Sequence, residues 1–350
     1  MILILEKILK SEMESIIVNI IDVFIEKISL KYGIEKDELK ILCNKGDIKQ
    51  ACHRNTYIGC SLSKYINIQK PFLKWVGGKS QIINNILDCV PKEIENYHEP
   101  FLGGGSVLLA VLSLQKHGKI NIKNDIFVYD INTDLINLYK NIQKSPEEFH
   151  NYLTTYFGDY DESKDKEVYY YSTREKFNKK YDEENQLDRS AMFLFLNKTC
   201  FRGVYREGPN GFNVPYGHYK TTPEMISLEE LKNISNLIKN VKFIQCSFEQ
   251  SFNNFKRGDY IYLDPPYAPE NTKSFVGYTK DGFKPDMHNK LFRMIVNLDG
   301  EIKFTMSNSN VKLVLDFFDN DKYIIKKLEA KRSINSKNPS SKTTEVIISN

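Results

Sequence analysis

The sequence predicts an α/β protein built on a largely parallel sheet, with a module inserted in its middle and a small helical extension at its start. Three observations carry this. Short apolar runs at Tyr97–Phe101, Ile126–Tyr129, Tyr260–Leu263 and Ile302–Met306 each lead into a Gly-rich turn or a polar residue. Helical runs, Val107–Leu114 and Leu135–Ile142, follow the first two. The stretch 140–240 breaks that alternation, being polar and rich in tyrosine (Tyr169, Tyr170, Tyr171).

Taken in order, Ile17, Ile20, Ile21, Phe24 and Ile28 recur at helical spacing, so an amphipathic helix is expected over 14–31, stopped near Gly33. A second short helix is expected over 35–43, and a polar segment runs on to Gln69. From Pro71 the strand–turn–helix texture begins. Within the middle module a helical run lies near 186–198. The segment Phe201–Arg206, the turn Gly208-Pro209-Asn210-Gly211 and the segment Phe212–Tyr216 then read as a β-hairpin around Asn-Gly. The expected division is 1–69 as extension, 70–139 with 241–350 as the sheet domain, and 140–240 as the insertion.

With 350 residues, 41% hydrophobic and 27% charged, the chain can bury a sizeable core, and disordered, collagenous and coiled-coil classes are excluded. A net charge of +4 is too small a bias to name a partner. Six irregularly spaced cysteines imply no disulfide framework and fit a reducing compartment. The charge-free stretch Ser15–Ile21 is far short of the roughly 20 residues of a membrane span. A soluble, intracellular protein with no membrane association is expected.

Four clusters carry chemistry. Asp264-Pro265-Pro266-Tyr267 closes an apolar strand. The exocyclic amine of adenine is a poor nucleophile because its lone pair is delocalised into the ring. A carboxylate (Asp264) and a carbonyl (Pro265) can each accept one N–H and localise that pair, while Pro265 and Pro266 stiffen the loop. Tyr267 offers a face for a base, worth about 1–3 kcal/mol of stacking. A second cluster, Glu99-Pro100-Phe101-Leu102-Gly103-Gly104-Gly105-Ser106, sits at a strand-to-helix junction where glycine permits close ligand approach. Asp130 ends the next strand and can accept from ribose hydroxyls. These two clusters indicate a nucleoside-bearing cofactor, and a nicotinamide dehydrogenase would share the geometry.

The third cluster is Phe72-Leu73-Lys74-Trp75-Val76-Gly77-Gly78-Lys79-Ser80, in which Leu73 replaces the first glycine a phosphate-binding loop requires. An aromatic beside a Gly-Gly-Lys turn fits a cofactor carrying a sulfonium and a carboxylate. The fourth is the hairpin region 197–220, where Lys198, Arg202, Arg206 and Lys220 against Glu207 give +3, interleaved with aromatics. Such a ribbon suits phosphate contact and major-groove entry. Residues 322–342 add seven Lys or Arg against Glu329, a second basic surface that alone reads as a solvated face.

Together, FLKWVGGK, EPFLGGGS, YDINTDLINLY, FLFLNKTCFRGVYREGPNGFNVPYG, DYIYLDPPYAP and the terminal RSIN…TEVIIS occur in an order that resembles the Dam-type (D12, alpha-group) site-specific DNA adenine-N6 methyltransferases, over roughly 70–350. The resemblance implies a Rossmann-like S-adenosylmethionine-dependent methyltransferase sheet with an inserted helical and β-hairpin DNA-recognition domain. It implies S-adenosylmethionine as methyl donor, no required metal, and duplex DNA with a flipped adenine as substrate. It assigns Trp75, Lys79, Phe101, Gly103, Asp130 and Asp264 to the cofactor, and Asp264, Pro265, Pro266 and Tyr267 to catalysis. Lys74 and Arg206 fall at DNA-contacting positions, and Arg202 and Asn210 join them on the hairpin. Arg202 stands where GATC-methylating members commonly carry Asn, so the target sequence does not carry over. A cognate restriction endonuclease and a monomeric state are expectations from the same family.

The rival readings are methylation of a protein or RNA nitrogen, and a DNA-binding protein without catalysis; the basic hairpin and the intact tetrapeptide weigh against them. The resemblance stops short of 1–69. There Cys43, Cys52, His53 and Cys60 have no paired zinc spacing and read as ordinary thiols, with no metal site expected.

Overall fold

The computed structural model describes residues 67–179, 185–269, 282–318, 321–331 and 342–350. The chain divides into two units, 1–60 and 61–350, and the described residues belong to the second. The helices expected over 14–31 and 35–43, and the four residues Cys43, Cys52, His53 and Cys60, lie outside the described residues. Ile68 packs against the core of the second unit, and the Gln69 amide donates to Ser113 Oγ at 3.1 Å. The chain has therefore joined the sheet domain a little before residue 70.

Seven strands form one sheet: β1 (Tyr97–Glu99), β2 (Ile126–Asp130), β3 (Val241–Gln245), β4 (Tyr260–Leu263), β5 (Lys303–Ser309), β6 (Ile324–Lys331) and β7 (Lys342–Ser349). Their spatial order is β6-β7-β5-β4-β1-β2-β3. The five strands from β3 to β5 pair in parallel, whereas β7 runs antiparallel between β5 and β6. From β1 the order proceeds outward in both directions, so β1 and β4 flank the switch point. In such sheets the crevice beyond the carboxyl ends of the strands at that point receives ligands.

The central strand β4 shows why its sequence reads Tyr-Ile-Tyr-Leu. Tyr260 and Tyr262 enter the core on one face of the sheet, and Ile261 and Leu263 enter the core on the other. All four are buried, which is what a parallel strand covered on both faces requires. The main helices are α1 (Ser106–Lys116), α2 (Thr133–Lys144), α3 (Pro146–Glu162), α4 (Lys166–Asn178), α5 (Gln186–Thr199), α6 (Leu228–Ile238) and α7 (Pro285–Val296). Asn132 caps α2, its side chain accepting from the Leu135 amide at 2.9 Å.

Helices α3 to α5 make up most of the segment that the sequence presents as polar and Tyr-rich. Its aromatic side chains supply apolar faces: Tyr156, Phe157, Tyr160 and Tyr169 ring Phe195 of α5 with centroids 5.3–6.0 Å apart. Arg189 of α5 forks onto Asp134 in the first turn of α2, at 2.6 and 2.9 Å. That pair ties α5 to the end of the sheet where β2 delivers Asp130. The Asn210-Gly211 turn joins a shorter hairpin than expected: Glu207–Gly208 pairs antiparallel to Gly211–Phe212, whereas Phe201–Gly203, expected in the first strand, forms a turn of 3-10 helix. Among the described residues, no helix is long and apolar enough to cross a membrane.

Candidate active site

A cavity of about 1440 Å³ opens beyond the carboxyl ends of β1, β2 and β4. Trp75, Lys79, Phe101, Gly103 and Asp130 line it together with the whole tetrapeptide Asp264–Tyr267. Lys74 and Arg202 reach its rim, whereas Arg206 and Asn210 stand apart on the hairpin, both exposed.

The glycine loop after β1 is shaped by two aromatic side chains. Gly105 has φ +66°, and a Cβ there would fall on the Tyr139 hydroxyl, which itself donates to the Gly104 carbonyl at 3.0 Å. A Cβ on Gly104 would come within 2.8 Å of Trp75 Cβ. Gly105→Ala is therefore expected to destabilise the domain by about 2–5 kcal/mol, combining left-handed strain with overpacking. A fall in the urea midpoint measures it, and an unchanged midpoint would refute this account of the loop. Trp75 in turn stacks on Tyr205 of the hairpin region, with centroids 5.4 Å apart and planes 20° apart. Phe101 packs near Phe248 and Phe283, at 5.7 and 6.2 Å, forming an aromatic wall.

Asp130 closes β2 and holds the loop from below. Its carboxylate accepts from the Gly103 amide at 3.0 Å and from the Asn132 amide at 2.9 Å. Burial raises its pKa, and those amides oppose the rise. With about four acceptor sites on its two oxygens, the carboxylate keeps capacity for a ligand.

Asp264 emerges from β4 and meets Lys79 Nζ at 2.6 Å. Lys79 is 4% exposed and also donates to the Gly77 carbonyl. The Asp264 carboxyl is pushed up to about 6, because burial outweighs the stabilisation from Lys79. The neighbouring Glu99 is buried at 2% exposure and accepts from the Tyr97 hydroxyl at 2.7 Å; burial raises its pKa well above the usual carboxylate range. The nucleotide-phosphate reading of Gly78-Lys79-Ser80 finds no support: Leu73 is buried in the core, and Lys79 is engaged with Asp264.

The chain leaving the tetrapeptide is clamped by β5. The Ala268 amide donates to Asn308 Oδ1 at 3.0 Å, and Ser309 Oγ donates to the Ala268 carbonyl at 2.6 Å. The Tyr267 hydroxyl donates to Glu345 Oε2 of β7 at 2.9 Å, and Lys79 Nζ lies 4.9 Å from the Tyr267 ring centroid. Nothing in the sequence assigns Glu345, Asn308 or Ser309 a role at the tetrapeptide, although Glu345 lies in the terminal TEVIIS stretch. They are spaced far from the tetrapeptide: Asn308 and Ser309 reach it through the pairing of β5 with β4, and Glu345 through the further pairing of β7 with β5.

At the hairpin end, Asn197 grips the backbone of Lys74 in both directions: the Lys74 amide donates to Oδ1 at 3.0 Å, and Nδ2 donates to the Lys74 carbonyl at 2.7 Å. The exposed Lys74 ammonium lies 4.7 Å from the Tyr219 ring centroid. Arg206 donates through Nε to Asn213 Oδ1 at 2.7 Å. Arg202 adopts φ 57° and lays its guanidinium 5.1 Å from the ring centroid of the half-exposed Phe201. The segment thus presents cations and an aromatic side chain beside the cavity mouth.

Known proteins share this chain's pattern. A family model described as D12 class N6 adenine-specific DNA methyltransferase matches residues 75–334. The type II methyltransferase M.MjaIII of Methanocaldococcus jannaschii is 41% identical over 282 residues, covering 77% of this chain and 93% of that protein. A type II methyltransferase of Lactococcus lactis, M1.LlaDCHI, is 32% identical and covers 80% of this chain and 95% of its own length. The DNA adenine methylase of Haemophilus influenzae is 32% identical, over 77% of this chain and 89% of its own. By this match and by its sheet, the chain belongs to the D12 class of N6 adenine-specific DNA methyltransferases.

Proposed function

We propose that this DNA adenine methyltransferase binds S-adenosylmethionine over the glycine loop and receives an adenine, turned out of duplex DNA, against the tetrapeptide. The observation that carries the reading is that Asp130, the Gly103 loop and Asp264 face one cavity of about 1440 Å³. A single-ligand pocket typically holds about 300–1,000 Å³. This one has room for a nucleoside cofactor and a base side by side.

Asp130 would hold the ribose hydroxyls, Gly103 would let the methionine portion approach the backbone, and Trp75, Lys79 and Phe101 would border the donor. When bound, the sulfonium supplies an already activated methyl group. Asp264, ionised above about pH 6, accepts one N–H of the adenine amine, and the Pro265 carbonyl accepts the other. Pro266 keeps that loop stiff. Tyr267 stacks on the base, and its contribution of about 1–3 kcal/mol offsets part of the few kcal/mol needed to unstack it. The catalytic domain then comprises 70–139 and 241–350. Residues 140–240 form the DNA-recognition insertion, with Lys74, Arg202, Arg206 and Asn210 facing the duplex. The type II relatives support a companion restriction endonuclease as a partner.

Incubation with labelled donor and duplex DNA, followed by digestion to nucleosides, is expected to give label on N6-methyladenine. Sequencing the modified DNA maps the target position. Label on cytosine, or none, would reject the reading.

A further inference from the structure

The tetrapeptide ring has a partner far from it in sequence, in the terminal TEVIIS stretch. We propose that Glu345 is a positioning residue that holds the Tyr267 ring, through its hydroxyl, in the orientation required to stack on the turned-out adenine. The inference rests on the stacking role given to Tyr267 above and specifies what enforces it.

Tyr267 is half-buried, and its hydroxyl donates to Glu345 Oε2 at 2.9 Å. A tyrosine hydroxyl lies at the far end of the side chain, so fixing it stops the ring axis from swinging about χ1. The phenolic O–H prefers the ring plane, so an acceptor placed there also restrains the plane itself. A carboxylate makes this bond about twice as strong as a neutral acceptor would.

The placement of Glu345 matters as much as its charge. In the register of β7 with β5, Glu345 stands opposite Ser309 and Val346 opposite Asn308. Asn308 and Ser309 are the residues that grip the Ala268 backbone, immediately after Tyr267. One strand pair therefore references both the far end of the ring and the backbone that carries it. A rigid ring is what a stacking platform needs, since the base has left its own stack and must find one surface at one angle.

Glu345 also places a negative charge near Asp264, and this gives the inference a second readout. The groups that bear on Asp264 are Lys79, Glu99, Tyr262, Tyr267 and Glu345, and of these Glu345 disfavours its ionisation while Lys79 favours it.

The test measures single-turnover methyl transfer at saturating donor and DNA for Tyr267→Phe, Glu345→Ala, the double variant and Glu345→Gln, with Tyr267→Ala as reference. Each of the first two is expected to slow transfer by about 10- to 100-fold, the range for a lost hydrogen bond to a charged group. The double variant should be no slower than the slower single one, because the two changes remove one bond. Glu345→Gln keeps an acceptor and should recover most of the rate, while its acid limb moves to lower pH. Emission from 2-aminopurine at the mapped position should change alike in Tyr267→Phe and Glu345→Ala. Additive losses in the double variant, or a wild-type rate in Glu345→Ala while Tyr267→Ala is slow, would overturn the inference and leave the stacking role standing. A wild-type rate in Tyr267→Ala would remove the stacking role and the inference with it.

Discussion

Asp264→Ala is expected to lower kcat by about 1,000-fold or more while the protein still folds and binds DNA, because the change removes the charged acceptor on the reacting amine. The size follows from geometry. Asp264 stands at the tip of the central strand with its following loop clamped to β5, so little reorganisation is needed for it to act. The pH dependence has a definite sign. Burial raises the carboxyl to about 6, so the acceptor form prevails above that pH and is lost by protonation below it. The kcat of the wild-type enzyme should therefore fall as pH drops through about 6, and Asp264→Asn should lack that limb. Near-native circular dichroism in the variants checks the fold. A rate within tenfold of wild type in Asp264→Ala would refute the assigned role.

Lys79→Met should have the second largest effect. Lys79 is almost fully buried and contacts Asp264 at 2.6 Å, so its removal leaves a sequestered carboxylate without its counter-charge. The ammonium holds the Asp264 pKa down against burial. Without it the pKa rises further and the acid limb moves to higher pH; kcat at pH 7 falls by about twofold by the time the pKa reaches about 7, and by about tenfold for each unit beyond that. Activity should return as the pH is raised, which a purely structural loss would not allow. Measured at saturating donor, a limb at the wild-type position would contradict the electrostatic coupling, whatever the effect on the donor's KM.

The site was more legible in the sequence than the insertion around it. The tetrapeptide, the glycine loop and Asp130 each end an apolar strand, a parallel sheet gathers strand ends at one edge, and the order of the motifs, which carries the family resemblance, joined them into one expected site. Helices α3 and α4 carried real signals, Pro146 with Glu147 and Glu148 in one first turn and Asp165 capping the other. They were obscured because the apolar stripe of α3 relies on Tyr156 and Tyr160, whose hydroxyls make the segment look polar. Those hydroxyls are satisfied inside the domain, Tyr156 by Asp188 at 2.6 Å and Tyr160 by Tyr216 at 2.6 Å. The role of Glu345, a residue of the TEVIIS stretch, was illegible for another reason. Its relation to Tyr267 exists only in the antiparallel register of β7, which depends on long-range pairing.

The account turns on an adenine reaching Tyr267 beside Asp264. The measurement that addresses this most directly is photo-crosslinking of wild-type protein to a duplex carrying 5-iodouracil at the mapped target position, with the adduct located by peptide mass spectrometry. The account predicts an adduct on Tyr267, lost in Tyr267→Ala. An adduct on a residue remote from the cavity would contradict it.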